Sequence, residues 1–192
     1  MTEEIKKLKA KIKKNLDRDR YQHTLGVAYT AAALAMRYGA DVNDAFTAGL
    51  LHDCAKCIPN DKKYELCKKY EIELNDTEKK APYLLHAKLG AYLAEHEYKI
   101  HSGDIIAAVR SHTTGHENMS LLEEIIFIAD YIEPNRKVIP GLDEIRALAF
   151  TDKNKTIALI AKATLEYVGK SERPLDPMTK NTYEYYRNEA DK

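Results

Sequence analysis

The sequence predicts an all-α protein, folded as a single-domain, irregular helical bundle. Apolar residues recur at the three- and four-residue spacing of a helix in almost every segment, whereas the period-two alternation of a half-buried strand is scarce. Glycines and prolines such as Gly39, Pro59 and Gly141 fall at the ends of the periodic segments, where helices start and stop. No repeat of fixed period and no Gly/Ser-rich linker divides the chain, so we expect one domain over 1–192.

The first half of the sequence is predicted to contain five helices. Apolar residues at helical spacing run from Ile5 to Ile12, which makes the lysine-rich start an amphipathic helix with a solvated face and not an arm for nucleic acid. The same spacing runs from Val27 to Leu34. Asn43 is expected to cap the third helix, because its side-chain oxygen can accept a hydrogen bond from the first turn. The predicted ranges are 3–16, 18–38, 43–55, 61–70 and 78–97.

The second half is predicted to contain five more helices. Helical spacing returns from Ile105 to Val109 and again from Ile157 to Ala161. Ser120 precedes another apolar periodic segment and is expected to be its N-cap. The predicted ranges are 103–112, 120–132, 142–149, 153–169 and 178–189.

Charge and hydropathy exclude several classes of partner. Thirty basic residues balance thirty acidic ones, so the chain has no overall positive field for binding nucleic acid or an anionic membrane. No apolar stretch approaches the roughly 20 residues that span a bilayer, and the lysine-rich start lacks the apolar run of a signal peptide. We therefore expect a cytoplasmic protein that binds neither nucleic acid nor membrane.

The three cysteines favour reduced thiols. Cys54, Cys57 and Cys67 are odd in number and close together, which does not suit a disulfide framework. Cys54 and Cys57 have the C-x-x-C spacing of redox motifs and of half a zinc site, but there is no second cysteine pair and no βαβ pattern. We interpret them as structural thiols, with Cys54 able to approach a nearby metal site.

His52 and Asp53 form the strongest chemical signal in the chain. They are adjacent and follow the apolar segment that ends at Leu51. Both groups are costly to bury alone, and neighbouring helical residues point about 100° apart, so one shared partner must lie near their common edge. A divalent cation is such a partner.

Other histidines and one aspartate share this apolar context. His23, His86, His112 and Asp130 each lie at helical spacing with apolar residues, although a single such histidine is more often a satisfied core residue, and His96 has the same spacing. As a set with His52 and Asp53, these residues are much harder to explain as ordinary core positions than any one of them alone. Their ligand types suit Fe, Mn, Co or Zn and exceed what one ion binds, so we predict two ions that share Asp53. The predicted ligands are His23, His52, Asp53, His86, His112 and Asp130.

The residues around these ligands carry a family resemblance. RYQHTLGV (20–27), GLLHDCAK (49–56), SHTTG (111–115) and IADYIEPNR (128–136) resemble motifs of the HD-domain superfamily of metal-dependent phosphohydrolases. They are most similar to its YqeK-type branch, the bacterial symmetrical bis(5′-nucleosyl)-tetraphosphatases. The similarity extends to NTYEYY (181–186), while the loop 115–118 departs from any fixed pattern.

The resemblance implies a fold and a reaction. It implies an HD-type bundle with helical N- and C-terminal extensions packed on it, and hydrolysis of diadenosine tetraphosphate to two ADP at a di-iron centre. By similarity, one ion is held by His23, His52, Asp53 and Asp130, and the other by Asp53, His86 and His112. Two ions about 3.5–4 Å apart can activate a bridging water for attack on phosphorus, so no protein nucleophile is needed.

Several residues are candidates for catalysis or for binding the dinucleoside polyphosphate. Asp53 and Lys56 are the predicted catalytic residues. Lys56, Arg20 and Arg136 lie within a few residues of proposed ligands and offer positive charge to phosphates, although each could instead form a surface ion pair. Two more predicted substrate-binding residues are Gly26 and Thr113, which would let the substrate's backbone or phosphates approach closely. The last two are Tyr131 and Tyr186, which would stack on adenine.

Alternatives remain open at this point. Gly26 could serve helix packing, and aromatic residues at helical spacing are usually core. Another HD-type reaction, by a nucleotidase or a cyclic-nucleotide phosphodiesterase, would use the same metals. A non-catalytic nucleotide-sensing protein would retain the fold, but should have lost at least one of the six ligands. Tyrosines at exposed-looking positions would suit a homodimer interface.

Overall fold

The computed structural model describes residues 2–171 and 174–192, and within these ranges the chain is helical and has no strand. This confirms the predicted all-α class. The helices are α1 (Glu3–Asn15), α2 (Arg18–Tyr38), α3 (Val42–Leu51), α4 (Asn60–Lys69), α5 (Asp76–Lys80), α6 (Leu85–His96), α7 (Gly103–Ser111), α8 (Leu121–Ile132), α9 (Leu142–Leu148), α10 (Lys153–Gly169) and α11 (Pro177–Ala190), with a 3₁₀ turn at Pro82–Leu84 before α6.

Three predicted boundaries are wrong. The third helix ends at Leu51 and not at residue 55, and residues 52–57 form turns. The N-cap of α3 is Asp41 and not Asn43, because the Asp41 carboxylate accepts hydrogen bonds from the backbone N–H groups of Asn43 and Asp44 at 2.8 and 2.9 Å. The helix predicted over 78–97 is two helices, α5 and α6. Ala81 precedes a proline and leaves the helical region at φ −127° and ψ 69°, as the proline ring requires of its neighbour.

The predicted cap of α8 is confirmed. The Ser120 hydroxyl accepts a hydrogen bond from the Glu123 N–H, and the Glu123 carboxylate accepts one from the Ser120 N–H at 2.8 Å. This reciprocal capping box satisfies two donors that the first turn of a helix otherwise leaves unpaired. It fixes the start of α8, the helix whose last turn carries Asp130.

The core is built around α2, α3 and α8. Leu34, Leu50 and Ile126, one from each helix, are completely buried. Helix α7 packs on α3 and α8, and the C-terminal pair α10 and α11 pack on each other and, through α10, on α8. Within the described ranges, no helix combines the length and apolar character needed to cross a bilayer.

Helices α2 and α3 approach so closely that their backbones touch. A Cβ atom added at Gly49 would lie 2.7 Å from Ala28 Cα and 3.0 Å from Ala28 N. No side chain fits in that space, so the contact depends on glycine. The contact places the end of α3, where His52 lies, beside the part of α2 that carries His23.

We expect Gly49→Ala to lower the free energy of unfolding by about 1–3 kcal/mol, because the added methyl group overpacks a backbone contact. Gly103→Ala is the matched control, since its Cβ meets nothing within 4 Å at the first residue of α7. That variant should be unchanged or more stable by up to about 1 kcal/mol. Urea unfolding followed by circular dichroism measures both, and equal midpoints for the two variants would contradict the close crossing.

Candidate metal centre

Five helical segments bring the six predicted ligands to one place. His23 lies in the second turn of α2 and Asp130 in the last turn of α8. His52 caps the C-terminus of α3, and Asp53 follows it in a buried turn. The remaining two are His86, in the first turn of α6, and His112, the C-cap of α7.

Hydrogen bonds fix the ring orientation of the four histidines. In three of them Nδ1 lies 2.7 Å from the carbonyl oxygen of the residue three positions earlier, and these pairs are His52 with Gly49, His86 with Tyr83 and His112 with Val109. In the fourth, His23 Nδ1 lies 3.0 Å from Glu133 Oε1. A carbonyl or carboxylate oxygen only accepts, so each Nδ1 carries the proton and each Nε2 can present a lone pair.

The four Nε2 atoms converge in two pairs. His23 and His52 place theirs 3.3 Å apart, and His86 and His112 place theirs 3.2 Å apart. Two nitrogens bound at 2.0–2.1 Å to a tetrahedral ion would be separated by about 3.3 Å. The spacing within each pair therefore fits a common metal ion.

Asp53 lies between the two pairs and faces both. Its Oδ1 is 3.3 Å from His86 Nε2 and 3.6 Å from His112 Nε2. Its Oδ2 is 3.5 Å from His52 Nε2 and 3.8 Å from His23 Nε2. The two oxygens of one carboxylate thus face separate histidine pairs.

The Oδ1 atom of Asp53 tests whether a metal fits. It is buried and has no hydrogen-bond partner among the described residues. A buried carboxylate oxygen without a partner is strongly unfavourable, and a cation on that oxygen would remove the cost. The ligand atoms form two sets, each within 4.8 Å: group A is His23, His52 and Asp130, and group B is Asp53, His86 and His112.

Protonation states in the cluster suit metal ligands. Burial would raise the pKa of Asp53, but nearby His52, His112 and Lys56 lower it well below its usual range. Burial and the charge of Lys56 lower the pKa of His86 well below its usual value. Ligands must be ionised carboxylates and neutral imidazoles, and these two residues meet that requirement.

His23 and Asp130 are coupled in group A. Asp130 Oδ1 lies 3.0 Å from His23 Nε2, and although burial would raise the pKa of Asp130, that contact and nearby His52 lower it. Burial would lower the pKa of His23, but its bonds to Asp130 and Glu133 outweigh burial and raise it. A proton on His23 Nε2 would therefore compete with a metal ion for that nitrogen. Asp130 is not enclosed by apolar residues as predicted, since 24% of its side chain is exposed toward the cavity.

A cavity of about 330 Å³ opens beside the cluster. Arg20, Lys56 and Arg136 line it together with four of the proposed ligands, and α10 and the segment before α11 add apolar residues that include Ile160 and Leu175. Its volume lies within the range of roughly 300–1,000 Å³ that is usual for small-molecule sites. The cavity lining thus combines charged and apolar side chains.

The predicted basic residues lie directly on the cluster. Arg20 donates a hydrogen bond from NH1 to Asp53 Oδ2 at 2.7 Å. Lys56 Nζ lies 3.1 Å from His86 Nε2 and 3.6 Å from Asp53 Oδ1. Arg136 NH1 is 3.7 Å from Asp130 Oδ1. None of the three is an isolated surface ion pair, because each is turned toward a proposed metal ligand.

Two further predicted residues also line the cavity. The Thr113 hydroxyl lies 3.1 Å from His112 Nε2 and 3.2 Å from His86 Nε2, which places it next to group B. Tyr131 is 8% exposed, and the guanidinium of Arg136 lies over its ring at 5.4 Å. Tyr131 therefore presents only part of its ring to the cavity.

The predicted substrate role of Gly26 is wrong. This glycine is buried, and a Cβ atom added to it would lie 2.2 Å from Glu133 Oε2. The space that a side chain would take is filled by the Glu133 carboxylate and is not open to the cavity. Gly26 instead serves packing, and it packs against Glu133, the acid that orients His23.

The predicted substrate role of Tyr186 is also wrong. Its side chain is 1% exposed and lies away from the cavity. The hydroxyl donates a hydrogen bond to Glu124 Oε1 at 3.0 Å and accepts one from the Met119 N–H at 3.0 Å. Tyr186 is thus a core residue that holds α11 to α8.

Sequence reasoning missed Glu133 and the apolar wall of the cavity. Glu133 follows Asp130 by three residues, one helical turn on, and that spacing could have marked it as part of the same site. The wall residues Ile160 and Val168 look like ordinary core positions of α10. No pattern in the sequence separates a cavity wall from a core face.

Comparisons with known proteins agree with this geometry. A family model described as the HD domain matches residues 20–135. A symmetrical bis(5′-nucleosyl)-tetraphosphatase of Bacillus subtilis is 40% identical over 174 residues, covering 91% of this chain and 92% of the relative. One from Halalkalibacterium halodurans is 42% identical over 172 residues, covering 90% and 91%.

A solved structure is similar over nearly the whole chain. It is a crystal structure from Clostridium acetobutylicum, described as a predicted HD superfamily hydrolase involved in NAD metabolism. It is 40% identical, has a TM-score of 0.92, and covers 96% of this chain and 97% of its own. The similarity includes α10 and α11, which lie outside the matched family model.

We expect Tyr186→Phe to lower the free energy of unfolding by about 1–3 kcal/mol, since the buried Glu124 carboxylate and Met119 N–H each lose a partner. Metal bound per chain should not change. Tyr185→Phe is the matched control, because its hydroxyl makes one exposed contact of 3.3 Å with Asn118. Urea unfolding and metal analysis measure both effects, and a loss of bound metal in Tyr186→Phe would return this residue to the site.

Proposed function

The chain belongs to the HD-domain family, and from this membership we propose that it is a metal-dependent hydrolase that cleaves diadenosine tetraphosphate symmetrically into two ADP. The relatives named for that reaction match it over about nine tenths of both chains. The structural observation that carries the proposal is Asp53, whose two buried oxygens face separate histidine pairs. A single bridging carboxylate between two ligand sets is what a two-ion centre needs.

We propose the following ligand assignment. One ion is held by group A with Oδ2 of Asp53, and the other by group B, which contains Oδ1 of Asp53. When bound, two divalent ions would supply an activated water nucleophile and positive charge beside the scissile phosphate. Iron is proposed from the family resemblance, and Mn, Co or Zn would also suit these nitrogen and oxygen ligands.

The chain's own cations would bind and orient the polyphosphate. Lys56, Arg20 and Arg136 line the cavity, and their side chains are 31–35% exposed, so they can reach an anion. Charge-assisted hydrogen bonds from such groups to phosphate are stronger than neutral ones. Lys56 stands nearest to Asp53 Oδ1 and His86, which suits a catalytic role beside the scissile bond. The Thr113 hydroxyl can donate a hydrogen bond from the group B side.

We propose that the apolar residues of the cavity lining receive one nucleoside. Tyr131 offers part of an aromatic ring there, and Ile160, Val168 and Leu175 add apolar surface. These last three belong to the C-terminal extension, outside the matched HD segment 20–135. We therefore propose one domain in which α10 and α11 are packed on the HD bundle and complete its substrate site.

Other expectations stay predictions. A cytoplasmic location and a homodimer are proposed from the sequence alone. A non-catalytic sensor is not favoured, because all six proposed ligands are present in the two groups and four of them, Asp53, His86, His112 and Asp130, line the cavity. A different HD-type nucleotidase or phosphodiesterase is distinguished by its products.

We expect metal-loaded protein to convert diadenosine tetraphosphate to ADP alone, two molecules per substrate, as measured by anion-exchange chromatography. Asp53→Ala should lose bound metal and activity together, because it removes the shared ligand of both groups. The formation of AMP and ATP would contradict symmetric cleavage. Full activity in metal-free protein would contradict a metal-dependent reaction.

We expect Lys56→Ala and Arg136→Ala each to raise KM about 10- to 100-fold, because a hydrogen bond to a charged group contributes roughly 1.5–3 kcal/mol. Lys62→Ala is the matched control, since Lys62 is an exposed residue of α4 paired with Glu65 and lies outside the cavity. Steady-state kinetics measures the change. An unchanged KM removes that residue from the phosphate site.

A further inference from the structure

We propose that Glu133 is a positioning residue that makes the two metal positions unequal, so that group A binds its ion more tightly than group B does. The inference rests on the proposed metal-dependent function. The Glu133 carboxylate contacts neither Asp53 nor any atom that is proposed to bind metal. It acts through His23, whose Nδ1 donates a hydrogen bond to Glu133 Oε1 at 3.0 Å.

Glu133 is a buried acid whose carboxylate has no lysine or arginine partner in the described part of the chain. Its side chain is 1% exposed, and among the described residues its only ion-pair contact is His23. The second oxygen, Oε2, accepts a hydrogen bond from the Asn135 N–H at 2.7 Å. Arg146 is close, but it donates to the Glu133 backbone carbonyl at 3.0 Å. The carboxylate charge therefore acts on the His23 imidazole and on any ion that this imidazole binds.

The backbone around Glu133 is built to hold it there. Gly26 leaves room for the carboxylate, since a Cβ atom would lie 2.2 Å from Oε2 and 3.1 Å from the carboxylate carbon. Asn135 adds a side-chain hydrogen bond to the Gln22 carbonyl at 3.4 Å, which ties the segment after α8 to α2. The His23–Glu133 contact is thus enclosed between two chain segments.

His23 differs in this respect from the other three histidines. His52, His86 and His112 donate Nδ1–H to neutral backbone carbonyls. A carboxylate partner raises the basicity of a metal-binding imidazole and fixes its orientation, and losing such a partner typically costs 10- to 100-fold in metal affinity. Among the four, only His23 has this advantage.

The carboxylates on the two sides reinforce the difference. Group A contains the Asp130 carboxylate in addition to its contact with Asp53 Oδ2, whereas group B has only Asp53 Oδ1. Cationic side chains stand on both sides: Lys56 Nζ lies 3.1 Å from His86 Nε2 at group B, and Arg20 and Arg136 lie 2.7 and 3.7 Å from Asp53 Oδ2 and Asp130 Oδ1 at group A. The inequality is therefore assigned to Glu133 and Asp130 and not to the basic residues.

The test is a titration of metal-free full-length protein with Co²⁺, followed by visible absorption and chelator competition. We expect two binding steps in the unmodified protein. His86→Ala should remove the weaker step and retain the tighter one. A single class of two equal sites, or loss of the tighter step in His86→Ala, would overturn the inference. Absence of any Co²⁺ binding would instead contradict the proposed function itself.

Glu133→Gln isolates the carboxylate charge, because glutamine keeps the shape and one acceptor oxygen. We expect it to weaken the tighter step about 10- to 100-fold and to leave the weaker step unchanged. Unchanged affinity at the tighter step would overturn the role of Glu133. Circular dichroism of the metal-free variant checks that it is folded. The inequality of the two sites is tested independently, by the Co²⁺ titrations of the unmodified protein and of His86→Ala.

Glu123→Gln is the matched control. Glu123 is also a buried acid in contact with an imidazole, since its Oε1 lies 2.7 Å from His116 Nε2. It lies outside the cavity. Its replacement should leave both Co²⁺ steps unchanged, and an equal weakening in this control would assign the effect to general loss of packing.

Discussion

The burial of the Asp53 carboxylate is the constraint on which the site depends. A charged group that is 2% exposed must be surrounded by donors or cations, since water cannot reach it. The chain meets this need from several directions: histidine nitrogens approach each oxygen, Arg20 binds one of them, and Lys56 approaches the other. Because the contributors come from five helical segments, the site exists only when the whole bundle is assembled.

Helix ends do most of the positioning. The last carbonyls of a helix have no partner within it, and an imidazole that follows can satisfy one. His52 and His112 do this at the ends of α3 and α7, each through the carbonyl three residues earlier. One hydrogen bond thereby caps the helix, selects the tautomer and aims Nε2 at the cluster. The same hydrogen bond therefore fixes both the local backbone geometry and the orientation of the histidine ring.

Much of this could be read from the sequence, because helical periodicity reports which face is buried. The faces of α2 and α8 indicated His23 and Asp130, and proline and glycine marked most helix ends. The same periodicity cannot say what lies opposite a buried residue. Tyr186 and Gly26 were therefore assigned to substrate, although one bonds Glu124 and the other makes room for Glu133. The split of α5 from α6 depends on the dihedral angles of one residue before a proline.

The two basic side chains that rest on Asp53 have a consequence for how the protein matures. Arg20 and Lys56 already offset part of the charge of this carboxylate, so we expect the polypeptide to reach its native shape with no inorganic ion as a template. This distinguishes it from small zinc modules, which are unfolded until metal binds. Loading of the proposed ions can then follow synthesis as a separate event.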